Sequence, residues 1–353
     1  MSGFDFAIWF DGVEQGKHEF NTNLHVNAWK IGDENTLDIG LLFTVPSQEF
    51  TLNLYIPEKK ENFLFSSAAE KLFYTDVRWS FFNDVVDISD LVSTDCKLAS
   101  PQKSGDDKFV ILGFTNDNTV PFYNKRDFGT GTILSFPKIF KKIEEQRTKI
   151  LNDESLLKVY LRFRIEGDFI KAAFTNKILD VSWFQKVTST VSLFDFSLNR
   201  VRKIPELFYT DEPAVLGLLE KFTRVDFFLM INAKEDLELS QRDHDVVQQL
   251  EKKKWEKYFE PLKKIPAQES ILLYHWKTRE KVSEFSLFLK TKKDNFSFKK
   301  ALLLILIAFI VNVAASMIAS YSYEKTSSNS NDCAYNVPLP PVPEGANPSG
   351  REP

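Results

Sequence analysis

Cysteine is almost missing from this chain of 353 residues. Cys96 and Cys333 are the only two, too few for a disulfide-stapled scaffold or a four-cysteine zinc site. Histidine is nearly as scarce, and His18, His25, His244 and His275 are too widely spaced to spell a metal motif. Neither sign of charge dominates. Lys and Arg number 45 against 49 Asp and Glu, a net charge of −4, which gives no reason to expect direct nucleic-acid binding. The chain has no internal repeat of fixed period and no catalytic signature, and no cofactor is expected. Its opening residues, MSGFDFAIWFDG, lack the basic flank and apolar core of a signal peptide. Aromatic residues, by contrast, are abundant. The 33 Phe fall mostly at apolar strand positions, which points to core packing rather than base stacking.

Long hydrophobic runs are also missing, with one exception. Ala301 to Tyr323, ALLLILIAFIVNVAASMIASYSY, runs 23 residues without a charge. About 20 apolar residues cross the roughly 30 Å core of a bilayer, so this segment predicts one transmembrane helix, at 299–323. The flanks orient it. Lys281, Lys290, Lys292, Lys293, Lys299 and Lys300 precede the span within 20 residues, and only Lys325 follows it within 20. The positive-inside rule then places the N-terminal body in the cytoplasm and the last 30 residues outside. Lys290, Lys292, Lys293, Lys299 and Lys300 form a membrane-proximal basic group that anionic lipid would attract. Within the span, Ala308, Asn312, Ala315 and Ala319 are spaced 4, 3 and 4 and share one helix face. Small residues let helices approach, and an Asn in hydrocarbon seeks an interhelical partner. This face predicts homo-oligomerisation.

The cytosolic body predicts an α+β fold, β-rich and mainly antiparallel. Apolar and polar residues alternate at 4–10, at 50–56 and, most clearly, at Leu157, Val159, Leu161, Phe163 and Ile165. The intervening Lys158, Tyr160, Arg162 and Arg164 read as a solvent face. Further strands are expected at 24–30, 37–45, 77–82, 109–114, 191–198, 225–231, 271–277 and 284–290. Phe169–Phe174 follows Glu166-Gly167-Asp168 and reads as the second strand of a hairpin. Ser67 and Glu70 spell a capping box, and Pro137 and Pro213 each open a helix. The longest helix of the body is expected at 240–264, capped by Ser240. Residues 265–290 read as a last hairpin turning at Thr278–Lys281. A boundary near 199–213 would divide a β-rich domain, 1–200, from a mixed region, 201–298. The tail, 324–353, is rich in Ser and Pro, cannot build a core, and reads as disordered.

The remaining motifs are weak. Gly129-Thr130-Gly131-Thr132 is half of a phosphate loop but leads into the strand-like Ile133-Leu134-Ser135, so it reads as a turn. Asp84, Asp87 and Asp90 do not have the spacing of a calcium loop. Asp243-His244-Asp245 has the residue types of a metal-dependent phosphoesterase. It falls in the first turn of the expected 240–264 helix, where acidic groups favour the helix dipole. Cys96 would need a base supplied by the fold to act as a nucleophile. Cys333, in the exported tail, could join two chains where the outer compartment is oxidising.

The layout, with its span at 301–323 and its Ala308/Asn312/Ala315/Ala319 face, resembles the membrane effectors of bacterial anti-phage defence systems, including those paired with retrons. The resemblance implies a non-enzymatic, single-pass protein of the cell inner membrane that disrupts the bilayer when its body is triggered, in antiviral defence by abortive infection. For the retron type it further implies a cytosolic regulatory partner, a reverse transcriptase with its RNA–DNA product. It carries over no functional residue. Two other readings stand beside it. One is a membrane-anchored binding module or scaffold for a cytosolic partner. The other is a tethered enzyme, whose sign would be a pocket where carboxylates converge with His244 or His275. A eukaryotic tail-anchored protein has the same layout.

Overall fold

The computed structural model describes residues 4–12, 20–31, 34–74, 77–82, 86–93, 96–102, 108–114, 122–150, 157–175, 189–200, 202, 207–210, 213–294 and 298–330. The chain divides into two compact units, residues 1–295 and 296–353.

The first unit is built on two mixed sheets. One has seven strands in the order β14 (Glu235–Ser240), β17 (Phe285–Asp294), β12 (Ser189–Leu198), β1 (Phe4–Asp11), β4 (Thr51–Ile56), β10 (Gly131–Phe136), β9 (Asn124–Phe128). The other has ten. Nine run in the order β15 (Val246–Gln249), β16 (Ile271–Lys277), β13 (Phe222–Asn232), β2 (Thr22–Ile31), β3 (Glu34–Thr44), β11 (Lys158–Gly167), β8 (Phe109–Leu112), β7 (Cys96–Pro101), β6 (Val86–Ser93), and β5 (Phe63–Ser67) pairs with the far end of β11. Pairing is antiparallel except for β1 with β12, β2 with β13 and β8 with β11. The fold is therefore α+β, β-rich and mainly antiparallel. Strands on either side of the 199–213 stretch lie side by side in both sheets, as β12 does with β17 and β2 with β13.

The period of two in the sequence becomes the core. Phe6, Ile8 and Phe10 of β1 and Phe194, Phe196 and Leu198 of β12 point from one sheet. Leu37, Ile39, Leu41 and Phe43 of β3 and Val159, Leu161, Phe163 and Ile165 of β11 meet them from the other. Rings cross the interface: the Phe196 and Phe227 centroids lie 5.4 Å apart, and those of Phe136 and Phe163 5.1 Å apart. Such pairs add to the area they bury.

Each sheet has a cover on its outer face. Ala7, Trp9, Tyr55 and Ile133 of the smaller sheet pack with Phe208 and Val215. These come from two short helices, Leu207–Thr210 and Pro213–Leu218. The larger sheet is covered from two stretches. A 3₁₀ turn (Glu70–Tyr74) and a short helix (Arg78–Phe82) contribute Leu72, Phe73 and Phe81. A helical turn (Lys252–Trp255) and a 3₁₀ turn (Glu260–Lys264) hold Trp255, Tyr258, Phe259 and Leu262 against the same face. The helix opened by Pro137 forms as Lys138–Ile150. The Gly129-Thr130 segment is the turn between β9 and β10, with Gly129 at φ +57°, a conformation that suits glycine.

Four of the expected elements form differently, and Tyr160, Arg162 and Arg164, expected on a solvent face of β11, are buried. Arg78–Phe82 is a helix rather than a strand; the turn buries Phe81, and the Arg78 guanidinium donates to the Leu72 carbonyl at 2.9 Å. Asp168–Thr175 is also a helix, not half of a hairpin. Ile170 and Phe174, one helical turn apart, are its buried pair, while Lys171 and Ala172 are exposed. The expected 240–264 helix is β14's end, strand β15 and two single turns. Residues 246–249 take up an antiparallel ladder with β16, and the extended Phe259 separates the turn that ends at Trp255 from the one that Pro261 helps to open. Finally, β16 and β17 form no hairpin. The first pairs with β13 and β15, the second with β12 and β14. Trp276 and Phe285 face the common core from opposite walls.

Among its described residues the second unit holds one helix, Phe298–Ser330, of 33 residues, roughly 50 Å long at 1.5 Å per residue. Within its Leu302–Glu324 segment the most apolar stretch of 18 residues has a mean hydropathy of 2.7, and none of that stretch is buried within the structure. It is long and apolar enough to cross a membrane, which is consistent with a single-pass membrane protein.

Candidate functional site

On the Phe298–Ser330 helix, Ala308, Asn312, Ala315 and Ala319 are all exposed. Helical geometry sets Ala308, Asn312 and Ala315 along one side and continues it at Ala319. Beside them, Val313, Ser316, Met317, Ser320, Tyr321 and Glu324 are exposed on the same helix. Asn312 thus places a carboxamide in the middle of an apolar surface. In hydrocarbon such a group is satisfied by a second helix or by the local backbone.

The lysines expected beside the membrane have diverse surroundings. Lys290, Lys292 and Lys293 belong to β17. Lys290 Nζ lies 2.7 Å from Glu238 Oε2 of β14, and Lys292 Nζ lies 3.8 Å from Glu238 Oε1. Lys293 is exposed. Lys299 and Lys300 fall in the first turn of the Phe298–Ser330 helix. Cys333 and the proline-rich tail lie outside the described residues, as do Asp84 and His18.

The site that sequence reasoning missed lies on the outer face of the ten-stranded sheet. Asn27, Asp38, Arg162 and Arg164 face the cover at 252–264 and are buried. Arg164 grips Asp38 with two parallel bonds, Nε to Oδ1 at 2.7 Å and Nη2 to Oδ2 at 2.8 Å. The Tyr258 hydroxyl donates to Asp38 Oδ2 at 2.7 Å, and the Trp29 indole donates to the same oxygen at 3.1 Å. Arg162 donates to Asn27 Oδ1 at 2.6 Å, to the Tyr160 hydroxyl at 2.8 Å, and through Nε to the Tyr258 hydroxyl. Its guanidinium also lies 4.1 Å from the centre of the Phe81 ring. Gly40 makes room for this group. A Cβ there would sit 2.2 Å from the Tyr160 hydroxyl and 3.0 Å from Arg162 Nη1.

The polar chain continues across the sheet. His25 Nδ1 lies 3.3 Å from the Tyr160 hydroxyl, and its Nε2 is 3.9 Å from Asp226 Oδ2. Asp226 Oδ1 bonds to His275 Nε2 at 2.8 Å and accepts from Arg224 Nη2 at 2.7 Å. Strands β16, β13, β2, β3 and β11 thus contribute to one run, from partly accessible His275 to fully buried Asp38.

Burial would raise both carboxyls, but the cations around them win. The Arg164 and Arg162 guanidiniums hold Asp38 at about 2. The bond to His275, with His25 and Arg224 nearby, holds Asp226 at about 2. His25 shows the opposite balance. Burial outweighs the attraction of Asp226 and lowers it to about 4, so its imidazole is neutral at pH 7. Burial pushes the Tyr258 phenol well up, and it stays a donor. Among the described residues, no three His, Cys, Asp or Glu side chains converge to hold a metal. The arrangement's evident chemistry is cohesion. It pins the 252–264 cover to the sheet through paired charges, which are costly to separate once water is excluded.

Asp243-His244-Asp245 lies in an exposed loop between β14 and β15, not in a helix. With Arg242, Trp276, Lys277, Arg279 and Phe285 it lines a hollow of about 420 Å³. Asp245 is occupied there, since its Oδ2 accepts from the Lys277 backbone N–H at 2.8 Å. Cys96 is buried. No protein-family model matches this chain, and no curated protein matches its sequence.

Proposed function

We propose that this protein is a membrane-anchored effector that disrupts the inner membrane when its cytosolic body is triggered, as in antiviral defence by abortive infection. The observation that carries the reading is a single C-terminal helix, apolar over Leu302–Glu324 and interrupted at Asn312. In this reading the N-terminus is cytoplasmic and the C-terminal tail lies outside. One helix cannot enclose a path through a bilayer, so the activity depends on homo-oligomers formed through Ala308, Asn312, Ala315 and Ala319. The body is restrained by a cytosolic partner. In the retron-associated form of the reading, that partner is a reverse transcriptase with its RNA–DNA product.

The test is membrane potential and viability in bacteria after induction of the full chain, of Asn312→Leu, and of residues 1–298. Depolarisation by the full chain, weakened in Asn312→Leu and missing in 1–298, supports the proposal. A full chain that is inserted yet leaves the potential unchanged, both alone and during phage infection, contradicts it. A second reading, a non-enzymatic membrane-anchored binding module, is favoured by the exposed sheet edge at Val246–Gln249. It predicts harmless expression.

A further inference from the structure

A strand at the edge of a sheet offers unpaired N–H and C=O groups to any other strand, and proteins guard such edges with charge, bulges, proline or a covering segment. Most edges of this sandwich are guarded. At one end of the seven-stranded sheet, β14 carries Glu235, Asp236 and Glu238, and its register breaks between Leu237 and Leu239. At the other end, β9 exposes Lys125, Arg126 and Asp127. In the larger sheet, β6 carries Asp87 and shifts register between Ser89 and Ser93. The outer side of β5 is met by Tyr123, whose hydroxyl donates to the Phe65 carbonyl at 3.2 Å.

The remaining edge has no such device. β15 reads Val246-Val247-Gln248-Gln249, without charge or proline. Its two valines are 45% and 41% exposed. The Leu250 N–H donates to the Ile271 carbonyl at 2.8 Å. Antiparallel alternation from that bond turns the backbone groups of Val246 and Gln248 toward β16 and those of Val247 and Gln249 outward. The surroundings are basic. Residues 242–254 and 277–281 hold seven Lys and Arg against four Asp and Glu, in a chain whose net charge is −4. Arg242, Lys277 and Arg279 outnumber Asp243 and Asp245 in the hollow at the N-terminal end of β15, and Lys252, Lys253 and Lys254 follow its C-terminal end, with Glu251 paired to Lys254 at 2.7 Å.

We propose that β15 is a docking edge for an extended, acidic segment of a partner protein, which joins the larger sheet as a further strand. Backbone bonds to Val247 and Gln249 hold the segment. Its alternate apolar side chains cover Val246, and its carboxylates meet the cations at the two ends of the strand. This surface is independent of whether the helix depolarises membranes.

The test uses the full chain in detergent micelles and a fluorescent heptapeptide alternating Glu and Val. Controls replace every Glu by Lys, or the central Val by Pro. The acidic peptide should bind at least tenfold more tightly than the lysine peptide, and more weakly as salt rises. Val247→Pro removes an outward N–H and leaves the bonds to β16 in place; it should weaken binding tenfold or more. Arg279→Glu, which leaves the backbone alone, should reduce the preference for the acidic peptide severalfold. No binding of the acidic peptide, equal binding by Val247→Pro, or equal binding of the lysine peptide would overturn the proposal. So would self-association that Val247→Pro abolishes without any peptide binding, which would give the edge to a second copy of the chain.

Discussion

The body and the C-terminal helix invert one another. In residues 1–295 the guanidiniums of Arg162 and Arg164 and the carboxylates of Asp38 and Asp226 lie inside, bonded to one another, to tyrosines and to an imidazole. In Phe298–Ser330 the apolar side chains lie outside, among them Leu302, Ile305, Phe309, Val311, Met317 and Ile318. Each is stable only in the right solvent. The body can bury charge because five neighbouring strands and the 252–264 cover supply bonds to the Arg162 and Arg164 guanidiniums and to the Asp38 carboxylate. The helix satisfies its own backbone, which suffices in hydrocarbon, and the Asn312 carboxamide is met there by a second helix or by the local backbone. The body therefore looks inward for its partners, and in the proposed function the helix looks to lipid and to other copies of itself.

Removing the helix should have the largest effect. The full chain should sediment with membranes and resist alkaline extraction, whereas residues 1–298 should remain soluble; membrane binding by 1–298 at the same level would mean that the body, not the helix, is the anchor. Asp38→Ala comes next. It leaves Arg162 and Arg164 buried without their carboxylate, and should cost about 3–5 kcal/mol, read as a lower urea midpoint for the body. Destabilisation under 1 kcal/mol would show that water reaches the cluster.

The effect of pH is smaller and has a defined sign. His25 titrates near 6.5 when unfolded and near 4 when folded, so the unfolded chain binds the extra proton first. Its neutral imidazole is accommodated fully above pH 6.5, and stability falls as pH drops from 6.5 to 4, by up to about 3 kcal/mol. The titratable and charged groups around it are Asp226, Arg162, Arg224 and His275. His25→Gln should flatten urea midpoints across that window; an unchanged slope would assign the dependence elsewhere. Tyr258→Phe is the mildest change. It removes the hydroxyl shared by Asp38 and Arg162 and should cost about 1–3 kcal/mol, with faster amide exchange at Trp255–Leu262 as its local sign.

Legibility in the sequence divides along the same line. The helix was legible from composition alone, since 23 uncharged residues have few other uses. Long strands with clean alternation, such as 157–165 and 225–231, were legible too, and became β11 and β13. Short elements were not. Ile170 and Phe174 fit a helix as well as a strand when only a few residues are in view. Residues 246–249 become a strand because β16 offers them a ladder, which no local pattern announces. The buried polar run was hidden for a stronger reason. Tyr160, Arg162 and Arg164 alternate with apolar residues and read as a face toward water. Their burial depends on Asp38 standing opposite Arg164 in the β3–β11 register, and on a cover reached almost a hundred residues later, at Tyr258. The available hint was that β2, β3 and β11 all place polar residues on the same face, visible only once the strand order is known.

The account rests on the helix finding its partner in other copies of itself. The direct measurement is energy transfer between donor- and acceptor-labelled full chains in lipid vesicles, at several protein-to-lipid ratios, for the wild type and Asn312→Leu. Transfer that rises with protein density and falls in Asn312→Leu, by the equivalent of about 1 kcal/mol, is the expected result. A wild-type chain that stays monomeric at every ratio, or an Asn312→Leu chain that associates equally well, would contradict it.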